Sequence, residues 1–383
     1  MNSHSIFVPG STIGIMGSGQ LGRMFAMEAR KMGYRILTFS PDRDTPTGQV
    51  ADKEVCAAYS DESAVRAFAA ELDVLTFEFE NVPVQSIDWA SEHCVVRPAG
   101  SILHTCQHRL REKEFLQGAG IPITPFAPVR TEAELRAAVS SIGLPAVLKT
   151  AAFGYDGKGQ KLLRTDMELA AAWPAFEGQP AVLEKWVSFA KEISVVVARG
   201  ANGETRTFPV CENVHTNHIL DVTLAPAPIA DSIAMTAACL AVRTAEALGL
   251  VGVLAVEMFL LADGSILVNE LAPRPHNSGH FSFGASVTSQ FEQQLRAVCG
   301  LRLGSTDSLS PAAMANLLGD LWIHGEPDWA AAASMPEIKI HLYGKSIPRP
   351  GRKMGHLVAL CPTVEAAAES VREARRRLRR EAP

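Results

Sequence analysis

The chain has 383 residues, 47% of them apolar and 20% charged, and a net charge of −5 at neutral pH. That length provides for two or three globular cores, and the acidic balance argues against nucleic acid as the main partner. Seven cysteines without a C-x-x-C pair point to free thiols in a reducing, cytoplasmic compartment rather than to disulfides or a zinc site.

The first residues lack the apolar centre of a secretory leader. In the opening region TIGIMG and YRILTFS read as strands flanking an amphipathic helix, Gln20 to Met32. DESAVRAFAAEL then reads as a helix and DVLTFEFE as another strand. This alternation predicts a parallel sheet with helices on both faces. The stretch IGIMGSGQLGRM sets Gly17, Gly19 and Gly22 in a G-x-G-x-x-G turn, which brings backbone amides and a helix N-terminus toward a phosphate. That phosphate can belong to NAD, to ATP or to a phosphorylated substrate; Asp42 falls where the ribose-binding acid of an NAD site would stand.

From Gln107 a charged helix, QHRLREKEFLQGAG, leads into IPITPFAPV, whose prolines forbid regular helix. Between Pro145 and Glu270 the segments PAVLKT, QKLLR, AVLEKWV, KEISVVVARG, TRTFPVCE, GVLAVEMFLL and SILVNEL read as strands of an α+β region with a largely antiparallel sheet. The most apolar stretch, GLVGVLAVEMFLLADG, is too short for a bilayer and carries Glu257, so no membrane association is expected. The last eighty residues hold the strands EIKIHLYG and HLVALC and a closing helix. The six arginines of VREARRRLRREAP complement that helix's own dipole on a solvated face.

Three segments carry chemistry. In LKTAAFGYDGKGQKLL a strand ends at Lys149 and a loop with Gly154, Gly157 and Gly159 follows; backbone amides there can close over a triphosphate whose charge Lys149 and Lys158 offset. Its spacing is not that of a Walker A loop, and a plain hairpin with surface lysines is the alternative. In AVLEKWVSFAKEISV the hinge Glu184–Val187 can meet an adenine through its backbone, and Glu192 can accept from ribose hydroxyls. In VLAVEMFLLADGSILVNELAPRPHNSGH two strands joined by the turn ADGS carry Glu257 and Glu270, a hard-oxygen pair suited to Mg²⁺. Carboxylates in apolar strands are costly unless paired or metal-bound, and a structural salt bridge is the other reading. The loop after them presents Arg274, His276, Asn277, Ser278 and His280 to a small anion; a Ser/His nucleophile pair there lacks an acid spaced in the sequence to complete a triad.

Together Lys149, the loop 154–160, the hinge 184–187, Glu192, Glu257 and Glu270 resemble an ATP-grasp enzyme. More narrowly, FEFENVP, GYDGKGQ, NELAPRPHNSGH, TSQFEQQLRAV and HLYGK, in order over nearly the whole chain, are similar to the N5-carboxyaminoimidazole ribonucleotide synthetase family. The resemblance implies an α/β and α+β chain with the ATP-grasp fold in three parts: a Rossmann-like N-terminal domain (1–106), an ATP-grasp domain (107–303) and a small C-terminal domain (304–383). It implies carboxylation of 5-aminoimidazole ribonucleotide with ATP and bicarbonate, through carboxyphosphate, by a homodimer of purine biosynthesis.

Carried over residue by residue, the resemblance implies ATP contacts at Arg109, Lys149, Gly154, Tyr155, Asp156, Gly157, Lys158, Gly159, Gln160, Glu184, Lys185, Trp186, Val187, Glu192 and His215. Glu257 and Glu270, with Asn269 alongside, would hold Mg²⁺. Arg274, His276 and Asn277, with Tyr155 and Asp156, would serve the bicarbonate chemistry. Gly19, Gln20, Leu21, Glu78, Asp156, Lys345 and Arg352 would face the ribonucleotide, so that the G-x-G-x-x-G turn takes its 5′-phosphate. Ala151 and Ala152 stand where relatives carry basic or polar residues, which shifts phosphate contact onto Lys158. The alternatives are a formate-dependent glycinamide ribonucleotide transformylase, whose loop reads more like SSSGKGQ, a nicotinamide-dependent dehydrogenase, and a nucleotide-binding protein without catalysis.

Overall fold

The computed structural model describes residues 5–152, 159–176 and 179–380. The expectations for Gly154, Tyr155, Asp156, Gly157 and Lys158 lie outside the described residues.

The N-terminal strands form an all-parallel sheet in the order Lys53–Cys56, Arg35–Ser40, Thr12–Met16, Val74–Phe77, Val95–Val96. Alternate residues serve two cores, as a strand's period of two requires. Ile13, Ile15, Ile36 and Val74 pack against the helix Gln20–Lys31 through Met24, Phe25 and Ala29. Leu37, Phe39, Leu75 and Phe77 face Val65, Phe68, Ile87 and Ala90 of the helices on the other side. The helix Gln290–Val298 inserts Phe291, Leu295 and Val298 into the first of these cores and so ties this domain to the next. The expected strand DVLTFEFE stops at Phe77, because Glu78 turns back onto the glycine turn.

Beyond Gln107 the expected antiparallel sheet is two sheets among the described residues. A smaller one runs Phe126–Val129, Ala181–Lys185, Ala146–Thr150, Gln160–Leu163. The larger runs Ile266–Ala272, Gly252–Leu260, Lys191–Arg199, Cys211–Thr216, Ile219–Ala225, Ala312–Leu318, Lys353–Leu360, Ile338–Leu342, with Thr205–Thr207 beside Lys191–Arg199. Its central strands are buried on both faces. Ile193, Val195 and Val197 pack under the helix Asp231–Ala247, while Val196 and Ala198 join the opposite core with Phe281 and Ala297. Since Ile219–Ala225 pairs with Ala312–Leu318, the C-terminal strands extend this sheet instead of building one apart. The closing helix Val364–Arg377, capped by the Thr363 side chain, covers them with Ala367, Ala368, Val371 and Ala374. All seven cysteines are free thiols.

Where the last two strands meet, three imidazoles are clustered, two of them stacked. His341 and His356 are cross-strand partners with ring centroids 4.5 Å apart, and His280 lies 4.9 Å from His356. Tyr343 Oη is 3.0 Å from His356 Nδ1. Burial holds His341 down at about 4 and takes His280 and His356 well below the usual imidazole value. The unfolded chain therefore binds more protons as pH falls below about 6.5, so stability is complete above that value and declines toward pH 4, with a ceiling of about 1.4 kcal/mol per pH unit per imidazole. Thermal melts at pH 7.5 and 5.0 should show a drop that His341→Phe reduces; an undiminished drop would place its origin elsewhere.

Candidate active site

A cavity of about 1030 Å³ opens where the three sheets converge. Its wall brings together Gln20, Leu21, Glu78, Arg109, Lys149, Gln160, Glu184, Lys185, Trp186, Val187, Glu192, His215, Glu257, Asn269, Glu270, Arg274, His276 and Asn277 from across the chain. Gly19, Gly159, Lys345 and Arg352 do not contribute to the described wall.

One side is a buried charge network. Lys149 Nζ donates to Glu184 Oε2 at 3.0 Å, and Lys113 Nζ lies 3.4 Å from the same oxygen. Burial alone would raise the Glu184 carboxyl, but the two ammonium groups hold it down at about 2. Burial lowers Lys149, which Glu184 partly offsets. Lys113, 1% exposed, also donates to the Asn269 carbonyl at 3.0 Å. Its neighbour Glu112 accepts from the Leu271 amide at 3.1 Å and is pushed up to about 8, by burial first and then by Glu270. Neither residue was anticipated. In the charged helix around LREKEF no local pattern sets them apart from the charged residues beside them.

The two carboxylates lie on adjacent strands, as the strand reading has them, and Glu257 and Glu270 are register partners on Gly252–Leu260 and Ile266–Ala272. The register then slips, Met258 facing Val268, so Asn269 is the extra residue of a bulge. A bulge turns consecutive side chains toward one side, and Asn269 and Glu270 both reach the cavity. Each carboxylate has its own partner. His276 Nε2 lies 2.9 Å from Glu257 Oε1, and Arg109 Nη1 donates to Glu270 Oε2 at 3.2 Å. Burial raises the Glu257 carboxyl, but the imidazoles of His276 and His215 outweigh it and keep it ionised. The half-exposed Glu270 and the buried, unpartnered Asn269 Oδ1 beside it offer the hard oxygens that Mg²⁺ takes, so the residues present fit that ion.

Glu192 Oε2 lies 3.2 Å from His215 Nδ1, an ion-pair contact. Burial lowers the His215 imidazole, yet Glu192 and Glu257 carry it above its usual value. At the hinge, Lys185 and Trp186 are exposed at the cavity mouth, whereas Glu184 is buried.

In the donor loop, Arg274 Nη2 lies 2.7 Å from Glu80 Oε1, and Nη1 donates to the Pro275 carbonyl at 3.1 Å. The acid that the sequence did not offer a Ser/His pair is supplied by the distant Glu257, with His276 between it and Ser278 Oγ at 2.9 Å. This is no nucleophile: Ser278 is 1% exposed and its hydroxyl also meets Ser194 Oγ at 2.9 Å. Asn277, on the cavity wall, is anchored from behind. Its amide is paired reciprocally with Asn316, which leaves one N–H for a ligand.

The glycine turn already holds an anion of the protein's own. The Glu78 carboxylate accepts from the amides of Gly19 and Gly22, the latter at 2.7 Å. A Cβ at Gly19 would stand 2.7 Å from Glu78 Oε1, so a larger residue would displace that carboxylate from the turn. Of the first-turn amides, Glu78 takes those of Gly19 and Gly22, which leaves those of Gln20 and Leu21 for an incoming phosphate. Burial raises Glu78, opposed by those amides, Arg274 and Lys345. Asp42 is exposed and off the cavity wall, which removes the NAD-type ribose contact. Lys345 Nζ donates to the Lys353 carbonyl at 2.7 Å and Arg352 Nη1 to the Ile347 carbonyl at 2.7 Å, and of this segment Lys353 is on the described wall.

The site therefore has a cationic floor, a hard-oxygen pair and an anion-facing loop, suited to moving a phosphoryl group. Residues 114–291 match the ATP-grasp domain, 11–107 the ribonucleotide synthetase preATP-grasp domain, and 312–370 the phosphoribosylaminoimidazole carboxylase C-terminal domain. The N5-carboxyaminoimidazole ribonucleotide synthase of Bacillus subtilis (strain 168) is 47% identical over 357 residues, 93% of each chain. A crystal structure of an N5-carboxyaminoimidazole ribonucleotide synthetase with ADP superposes with a TM-score of 0.92 at 42% identity, covering 97% of each chain. The Aspergillus clavatus enzyme in complex with ADP and 5-aminoimidazole ribonucleotide gives 0.86 at 30% identity, over 96% of this chain and 98% of that one. By this similarity along its length, the chain belongs to the N5-carboxyaminoimidazole ribonucleotide synthetase family of ATP-grasp ligases.

Proposed function

We propose that the protein carboxylates 5-aminoimidazole ribonucleotide with ATP and bicarbonate, as a step of purine biosynthesis. The observation that carries this reading is the convergence in one cavity of the hinge, the cationic floor, the carboxylate pair and the donor loop, with Glu78 at its N-terminal end. Adenine meets the backbone of 184–187 and the ribose meets Glu192. Arg109 and Lys149 face the phosphates, joined by Gln160 and the loop before it. Glu257, Asn269 and Glu270 would hold Mg²⁺, which would supply charge neutralisation for the phosphoryl transfer.

A bicarbonate oxygen held at Arg274 attacks the γ-phosphorus as the bond to ADP breaks, giving carboxyphosphate. The exocyclic amine of the ribonucleotide then takes the carboxyl carbon: the C–N bond forms, the C–O bond to phosphate breaks and the amine gives up a proton, so that the carbamate and inorganic phosphate result. Carboxyphosphate is short-lived in water, so the chemistry needs a closed site. We place the domain boundaries at 106/107 and 303/304 and assign the protein as a cytoplasmic homodimer. Among the described residues no helix is long and apolar enough to cross a membrane.

Phosphate release from MgATP with bicarbonate and 5-aminoimidazole ribonucleotide tests the reading against its nearest rival. Release should disappear when formate and glycinamide ribonucleotide replace them; sustained release would favour the transformylase reaction. Lys345, lowered to about 8 by burial, with Arg352 adding to the effect, backs the ribonucleotide end. Lys345→Ala should raise the KM for ribonucleotide about tenfold to a hundredfold, the range of a charged hydrogen bond, and leave the KM for ATP unchanged. A raised KM for ATP instead would put this segment at the nucleotide.

A further inference from the structure

The loop that carries Arg274 is fixed at three successive residues. Gln290 brackets the His276 backbone, accepting from its N–H at 2.9 Å and donating to its carbonyl at 2.8 Å. Ser278 rests on Ser194, which also accepts from Asn213 Nδ2 at 2.9 Å. The third support comes from the C-terminal part of the chain. Asn316, on the strand Ala312–Leu318 and 1% exposed, donates from Nδ2 to Asn277 Oδ1 at 2.7 Å and accepts from Asn277 Nδ2 at 3.0 Å. Its other Nδ2 hydrogen goes to the Leu220 carbonyl at 2.7 Å.

A carbonyl can only accept, so Leu220 fixes which way the Asn316 amide faces, and the reciprocal pair then fixes Asn277. Every strong donor and acceptor of Asn316 is used inside the protein. Asn277 keeps one N–H, and Asn277 lines the cavity. From behind, Arg375 of the closing helix donates to the Asn316 carbonyl at 3.2 Å and pairs with Asp221, anchoring the strand.

We infer that Asn316 is a positioning residue for the carboxyl-activating half of the reaction: through Asn277 it aims the remaining amide N–H at the bicarbonate oxyanion. This rests on the reading that Asn277 meets bicarbonate. It gives the C-terminal segment a role in the step that precedes ribonucleotide capture. A fully satisfied buried polar network holds its members in one arrangement, and removing one partner releases that hold on the other.

The test measures bicarbonate-dependent ATP cleavage in the full-length protein for Asn316→Leu, Asn277→Ala and the double variant, with thermal melts alongside. Asn316→Leu should raise the KM for bicarbonate about tenfold, a one-hydrogen-bond effect, while the KM values for ATP and ribonucleotide stay within about twofold. The double variant should be no worse than Asn277→Ala alone. Where the leucine variant fails to fold, Asn316→Asp serves: it keeps the shape but cannot donate to Asn277 or Leu220, and the same selective rise is expected. Asn277→Ala with an unchanged KM for bicarbonate would overturn the underlying reading of Asn277. If Asn277→Ala raises that KM and the Asn316 variants do not, or they lower stability with all KM values unchanged, the positioning role is overturned.

Discussion

Glu270→Gln should cut ATP turnover by at least about a hundredfold while leaving the melting temperature nearly unchanged. Glu270 is half-exposed on the cavity wall, so an amide of the same shape disturbs little packing. It removes one of the two strand carboxylates that face each other and leaves Arg109 without its ion pair. A bound metal contributes several kcal/mol to charge stabilisation in phosphoryl transfer, and about 1.4 kcal/mol is a factor of ten in rate. Phosphate release measured against Mg²⁺ concentration should show the loss at every concentration reached. Near-normal turnover at millimolar Mg²⁺ would remove Glu270 from the metal site.

Arg274→Ala should lower bicarbonate-dependent phosphate release by about a hundredfold to a thousandfold, the effect of deleting one donor to a developing oxyanion. The guanidinium is held by Glu80 and the Pro275 carbonyl, and its Nε–H is buried without a hydrogen-bond partner among the described residues. Arg274→Lys should recover only a small part, because an ammonium cannot reproduce the planar fork. Recovery to wild-type rates with lysine would reduce Arg274 to a point charge, and unaltered release in the alanine variant would take it out of the site.

Much of this site can be read directly from the chain. Strand patterning and the ADGS turn put Glu257 and Glu270 on adjacent strands, and the hinge and Glu192 follow from the ends of apolar runs. What escapes reading are relations set by tertiary placement. No local pattern marks Lys113 and Glu112 as buried, since a charged helix face reads as solvated until something packs on it. The bulge that turns Asn269 toward the cavity is a slip of one residue between strands, invisible along either of them. The turn around Gly19 reads correctly as an anion site, but its first anion is the protein's own Glu78, 59 residues away. The C-terminal strands read as a separate small unit because pairing with Ile219–Ala225 leaves no trace in their own sequence.

The most direct test of the account follows labelled bicarbonate into product alongside phosphate release, with MgATP and with or without 5-aminoimidazole ribonucleotide. The account predicts release stimulated by the ribonucleotide, with one label incorporated per phosphate released. ATP cleavage without incorporation would contradict it, leaving the nucleotide site in place and the carboxyl acceptor wrongly assigned.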